Sequence, residues 1–147
     1  MITQSIENII NNINFSEIKK SQIHGMGLFS TENILKEQVI GLLDGQIIKW
    51  NELKEIEKNL KNISGKDQAH QFFYEWNALT KDTLLVRPIR TKYSYINHSR
   101  NPNLEIKYNP IRVIAIKNII KGDELLLDYR KEDLNIEYIK GHGASYL

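Results

Sequence analysis

Residues 95–103 read Tyr-Ile-Asn-His-Ser-Arg-Asn-Pro-Asn. Nearly every side chain in the stretch can hydrogen-bond, and Pro102 restricts the backbone before it, so it is an ordered turn and not a slack loop. Polar groups packed this densely either satisfy their own backbone or meet a ligand, and on their own these residues leave both readings open. Two further stretches frame it. Gly25-Met26-Gly27-Leu28-Phe29 lies upstream, and Gly122-Asp123-Glu124-Leu125-Leu126-Leu127-Asp128-Tyr129 lies downstream.

At 147 residues the chain has the length of one domain with a core of its own. Twenty basic and eighteen acidic side chains leave a net charge of +2 with the signs interspersed, so no basic stripe of the kind that grips nucleic acid stands out. Cysteine is absent, which removes disulfides, thiolate nucleophiles and cysteine-ligated zinc together. No basic N-terminal region leads into an apolar run with a cleavage site, and no apolar run is long enough to cross a bilayer. These features predict a soluble, cytoplasmic protein with no membrane partner. Export to a host cell by a route without a cleaved signal stays open, as does oligomeric state.

Going outward along the chain, Ile6, Ile9, Ile10 and Ile13 recur at helical spacing, which predicts a short amphipathic helix within residues 1–15. Residues 16–23 alternate loosely as a first strand and run into Gly25-Met26-Gly27. Two glycines one residue apart allow positive φ and close approach of a ligand, but they serve equally as a turn. Residues 39–43, Asp44-Gly45 and residues 46–48 read as strand, two-residue turn and strand, which predicts a hairpin. Asn51 caps a predicted helix through Lys61 with Leu53, Ile56 and Leu60 on one face. Residues 71–76 hold Phe72, Phe73, Tyr74 and Trp76, a strand composition whose rings belong to the core, with Tyr74 or Trp76 free to line a pocket instead. Residues 83–86 and 112–116 read as further strands. The sum is a strand-rich α+β domain.

Several chemistries can be set aside. His98 has no second histidine or carboxylate at ligand spacing, since His24, His70 and His142 are scattered, so no metal site is expected. Ser99 lacks the Gly-x-Ser-x-Gly elbow, and the phosphate-binding and dinucleotide-binding glycine patterns do not occur.

Taken together, the three framed motifs resemble those of the SET-domain lysine methyltransferases, in the family's order and over about residues 16–130. The resemblance implies a β-clip fold of small curved sheets with a C-terminal pseudoknot, in which the last motif threads through a loop beside the Asn-His-Ser motif. On that basis the chain divides into an N-terminal helix (1–15), a SET core (16–130) and a C-terminal lid segment (131–147) within one domain. It further implies S-adenosyl-L-methionine as methyl donor. Gly25, Met26 and Gly27 would run near its methionine part, Asn97 would hold its amino-acid end, and His98 would offer backbone to adenine. Tyr129 matches the catalytic tyrosine, and the partner is a protein or peptide carrying the target lysine, a histone or another basic protein.

The chain departs from the family pattern in three places. Leu43 stands where a tyrosine often lines the lysine channel, so Tyr74, Trp76 and Tyr95 are the channel candidates. Leu127 stands at a position linked to the number of methyl groups added. Cysteine-rich flanking segments are missing, which leaves Tyr138, His142 and Tyr146 of residues 136–147 as lid candidates. Asp128 reads as either a support for the site or an ordinary local carboxylate. A SET-fold module that holds peptide or cofactor without turnover is the alternative function, favoured by Leu43 and Leu127, whereas Asn97, His98 and Tyr129 favour an enzyme.

Overall fold

The computed structural model describes residues 9–64 and 75–147. These residues form ten short strands and two α-helices, the mainly β, α+β architecture of the SET fold. They fall into two compact units, each made of two separate stretches of chain: residues 1–43 with 91–129, and residues 44–90 with 130–147.

In the first unit β1 (Ser16–Lys20) and β2 (Met26–Ser30) form an antiparallel hairpin. A three-stranded antiparallel sheet runs β3 (Val39–Leu42), β9 (Arg112–Ala115), β8 (Leu104–Lys107). Along β9, Val113 and Ala115 are fully buried while Arg112 and Ile114 are only partly so, the period-2 alternation of a strand with one face on a core. Ile13, Leu28, Ile34, Ile40, Ile96 and Leu125 complete that core. The remaining pair is β7 (Asn97–His98) beside β10 (Leu126–Leu127), and it is parallel.

In the second unit β4 (Gln46–Lys49), β6 (Thr83–Arg87) and β5 (Glu75–Ala78) form an antiparallel sheet with β6 central. Leu84, Leu85, Val86 and Arg87 are all buried, as expected of a strand covered on both faces. Helix α1 (Trp50–Ser64) adds Leu53 to a cluster of Ala78, Leu84, Val86 and Leu134. The short α2 (Ile136–Lys140) follows.

Several expectations change. The strands on either side of Asp44-Gly45 exist, but they are not a hairpin: β3 pairs with β9 and β4 pairs with β6. A two-residue turn of the Asp-Gly type needs positive φ at both residues, and only Gly45 has it, at 151°. Gly45 is required for a different reason, because a Cβ there would lie 2.6 Å from the Val86 carbonyl oxygen. Helix α1 starts at Trp50 and not after Asn51, with the Lys49 N–H donating to Glu52 Oε2 at 2.9 Å in the manner of a capping box. Ile56 is 45% exposed and so leaves the apolar face predicted for it. The N-terminal helix falls mostly outside the described residues; those that are described, 9–15, hold no helix, and Ile10 bridges Thr91. Phe72, Phe73 and Tyr74 also lie outside the described residues.

Candidate active site

The parallel join of β7 and β10 brings the two downstream motifs together. Leu126 pairs with Asn97 and Leu127 with His98, and the Ser99 N–H donates to the Leu127 carbonyl at 2.9 Å. The far end of the same turn bonds to the same strand: the Asn103 N–H donates to Leu126 O at 3.2 Å, and Asn103 Oδ1 accepts from the Leu126 N–H at 2.8 Å. Asn103 Nδ2 also donates to Glu124 O at 2.8 Å. On its other side the last motif is tied to β2, with Leu125 N–H donating to Leu28 O at 2.7 Å and Ser30 N–H to Asp123 O at 2.9 Å. Residues 123–127 thus run between β2 and the Asn97–Asn103 turn, which is why a polar turn and a leucine run distant in sequence form one site.

Tyr129 leaves β10 in a 3-10 turn, Tyr129–Lys131. Its N–H donates to His98 Nδ1 at 3.0 Å, and its ring centroid lies 5.2 Å from the imidazole. The Tyr129 hydroxyl donates to the carbonyl of Ile96, a fully buried residue whose own N–H donates to Tyr93 O at 3.1 Å. With its proton committed there, the phenolic oxygen presents lone pairs only. His98 Nδ1 accepts a proton bond, so the neutral imidazole carries its hydrogen on Nε2. Asp128, 7% exposed, has Oδ1 3.9 Å from His98 Nδ1.

Asn97 reaches back to the glycine loop. Its Nδ2 lies 3.1 Å from His24 O, 3.4 Å from Met26 O and 2.9 Å from Glu124 Oε1. Ser21 Oγ donates to the same Glu124 oxygen at 2.8 Å. The two glycines differ in role. Gly25 takes φ +48° and a Cβ there would meet nothing within 4 Å, whereas a Cβ on Gly27 would lie 2.3 Å from Glu124 Oε1. Gly27 is therefore the close approach, and Gly25 the positive-φ corner with open space beside it.

Among the predicted channel residues, Tyr95 closes the 3-10 helix Lys92–Tyr95 in the first unit, one residue before the carbonyl that holds the Tyr129 hydroxyl. Trp76 belongs to the second unit, where it packs edge-to-face with Trp50 and Tyr138 at centroid distances of 5.7 and 5.2 Å. Tyr74 is outside the described residues. Of the lid candidates, Tyr138 is packed in that aromatic group, and Leu147 lies against the same cluster.

The second unit also holds a buried polar network. Arg87 Nε pairs with Glu75 Oε2 at 2.5 Å, Arg87 Nη2 donates to Asn77 Oδ1 at 2.6 Å, and Asn77 Nδ2 donates to Glu132 Oε1 at 3.2 Å. Loss of solvent pushes the Glu132 carboxyl up to about 7, against the opposing pull of the Asn77 hydrogen bond and the Arg87 charge. The Tyr146 phenol is raised by burial and by Glu132.

Sequence reading missed Glu124, Ser21 and Asn103 as site residues. Glu124 and Asn103 lay inside the quoted motifs, and only their side-chain bonds across 103 and 23 residues of chain reveal their use.

The parallel strand join sets an asparagine against a glycine loop and anchors a tyrosine hydroxyl on a carbonyl, all within a strand-rich scaffold. The profile of the SET domain matches residues 25–130, and the chain belongs to the SET domain family. It is 27% identical over 118 residues to the histone-lysine N-methyltransferase MEDEA of Arabidopsis thaliana, which covers 76% of this chain and 16% of the relative. It is likewise 27% identical over 135 residues to a histone-lysine N-methyltransferase, H3 lysine-4 specific, of Chaetomium globosum, covering 82% of this chain and 12% of that protein. The crystal structure of CpSET8 from Cryptosporidium superposes with a TM-score of 0.56 at 27% identity, over 80% of this chain and 58% of that one. The chain therefore spans only a small part of the length of the two curated relatives.

Proposed function

We propose that the protein transfers a methyl group from S-adenosyl-L-methionine to the ε-amine of a lysine in a protein substrate, a histone or another basic protein. The observation that carries this reading is the β7–β10 join, which puts Asn97 and Tyr129 on one short piece of structure.

The residues fit the cofactor. Open space beside Gly25, the carbonyls of His24 and Met26, and the Asn97 carboxamide suit the amino-acid end of the donor. Ladder bonds opposite Leu127 run through the neighbours of His98, as the Ser99 N–H shows, so the peptide groups of His98 itself face away from β10, toward adenine in this reading. When bound, the donor would supply an electrophilic methyl on a sulfonium, whose positive charge would disfavour protonation of a lysine amine brought up to it.

The chain's own residues do the rest. A free lysine, with a pKa of about 10.4, is almost wholly protonated at neutral pH, and desolvation against aromatic walls such as Tyr95 lowers that value further. The Tyr129 oxygen, its proton held by Ile96 O, accepts a bond from the amine N–H and so turns the nitrogen lone pair along the transfer axis. With the donor bound, an N–CH3 bond would form as the S–CH3 bond broke, the bonding pair would stay on sulfur, and the resulting methylammonium would release its extra proton to water. The Tyr129 ring face stabilises the developing methylammonium.

Calorimetric titration with S-adenosylmethionine, in the wild type and in Asn97→Ala, tests the reading. Binding that the substitution abolishes is expected. No binding at millimolar donor, with or without a lysine peptide, would favour a SET-fold module without turnover.

A further inference from the structure

We infer that Glu124 recognises the charge of the cofactor's amino-acid end and positions Asn97 for it, an inference that rests on the methyl-transfer reading above. Nδ2 of Asn97 has two hydrogens, yet three acceptors surround it: His24 O, Met26 O and Glu124 Oε1, at 3.1, 3.4 and 2.9 Å. Those two hydrogens and that of Ser21 Oγ can serve three acceptor oxygens, and the second oxygen of the Glu124 carboxylate is a fourth. Among the described residues Glu124 Oε2 makes no hydrogen bond, and only Ser21 Oγ adds a further donor, to Oε1.

The cluster thus holds more acceptors than donors, and one of its members is a partly buried carboxylate. That is the complement of an ammonium group, which brings three donors and a positive charge. The α-amino-acid end of S-adenosylmethionine carries one. The carboxylate reaches this place because Glu124 bridges Phe29 while Leu125 bonds to Leu28, and because Gly27 has no Cβ to exclude Oε1. The same bonds settle the orientation of the Asn97 amide, with Nδ2 toward the acceptors and Oδ1 outside that set.

The test is calorimetric titration of wild type, Glu124→Gln and Glu124→Asp with S-adenosylhomocysteine, which has the ammonium, and with its deaminated counterpart, in which hydrogen replaces the α-amino group. Glu124→Gln is expected to weaken S-adenosylhomocysteine about tenfold, a charge-assisted bond's worth, and the deaminated ligand by less than about twofold. Glu124→Asp keeps the charge and retains the preference for the ammonium ligand. Equal losses with both ligands mean a purely structural carboxylate and overturn the inference, as does an unchanged affinity. Should Glu124→Gln not fold by circular dichroism, loss of the preference in Glu124→Asp overturns it as well. A wild type that binds neither ligand overturns the cofactor reading itself and this inference with it, which differs from a wild type that binds both with no help from Glu124.

Discussion

Tyr129 is held at two points. Its hydroxyl donates to Ile96 O and its N–H to His98 Nδ1, so both ends of the residue are tethered to one segment. Tyr129→Phe keeps the ring and the N–H and removes only the oxygen to which the proposed function gives the orienting of the amine. The expected result is a fall in turnover of about a hundredfold, the usual cost of one oriented hydrogen bond to a transition state, with cofactor affinity kept. Single-turnover rates with a methyl-labelled donor, beside calorimetry, check both halves. Glu132 offers a second prediction at this scale. Its carboxyl titrates at about 7 in the fold, above the ordinary 4.5, so its neutral form favours folding. That contribution is complete below about pH 4.5 and is lost as pH rises through 7. Glu132→Gln keeps an oxygen for Asn77 Nδ2 and removes the ionisation. The variant should be more stable than wild type by about 2 kcal/mol at pH 8 and equal to it near pH 4.5, as urea melts at the two pH values would show. A difference that does not change with pH would contradict the assignment.

The element that deserves a substitution of its own is β10, only two residues long and held by side chains as much as by its ladder. Asn103 satisfies the Leu126 N–H through Oδ1 and the Glu124 carbonyl through Nδ2, and it is 9% exposed. Asn103→Ala leaves both backbone groups without that partner where water is scarce, at a cost of about 2–3 kcal/mol. Chemical denaturation measures that loss. Because Glu124 lies two residues before β10 and Tyr129 two residues after it, the variant should also bind S-adenosylmethionine more weakly at temperatures where it is still folded. The proline in Asn-Pro-Asn signalled an ordered turn, and that much was legible. The partner of the turn was not, because a two-residue parallel strand has no hydrophobic period to detect.

For the whole molecule, the sequence interleaves its two units, so the second is completed only by residues after Tyr129. Leu134, 6% exposed, joins Leu53, Ala78, Leu84 and Val86, while Tyr138 and Leu147 pack on the same cluster. Leu134→Ala should destabilise by about 2–4 kcal/mol through the cavity it leaves. Loss of the T-shaped Trp50, Trp76 and Tyr138 packing in near-UV circular dichroism would mark which unit melts first. An unchanged melting curve would mean that residues 130–147 add nothing to that core. Among the described residues, no helix is long and apolar enough to cross a membrane.

The amino-acid sequence by itself determined the strand-rich class, the three motifs and most strand positions, because residue alternation, glycine pairs and the dense polar turn are local properties. Its resemblance to the SET-domain family singled out Asn97, His98 and Tyr129 as the residues to ask about. Pairing was decided only in three dimensions. Asp44-Gly45 carried a hairpin's local signature, yet β3 and β4 each found a better-buried partner, β9 and β6, in different units. Glu124, Ser21 and Gly27 became one cluster only when residues 123–127 were laid along β2. Hydrogen bonds and close approaches between distant residues leave no periodic trace in the chain, since their energy is gained only once the loops between them have closed.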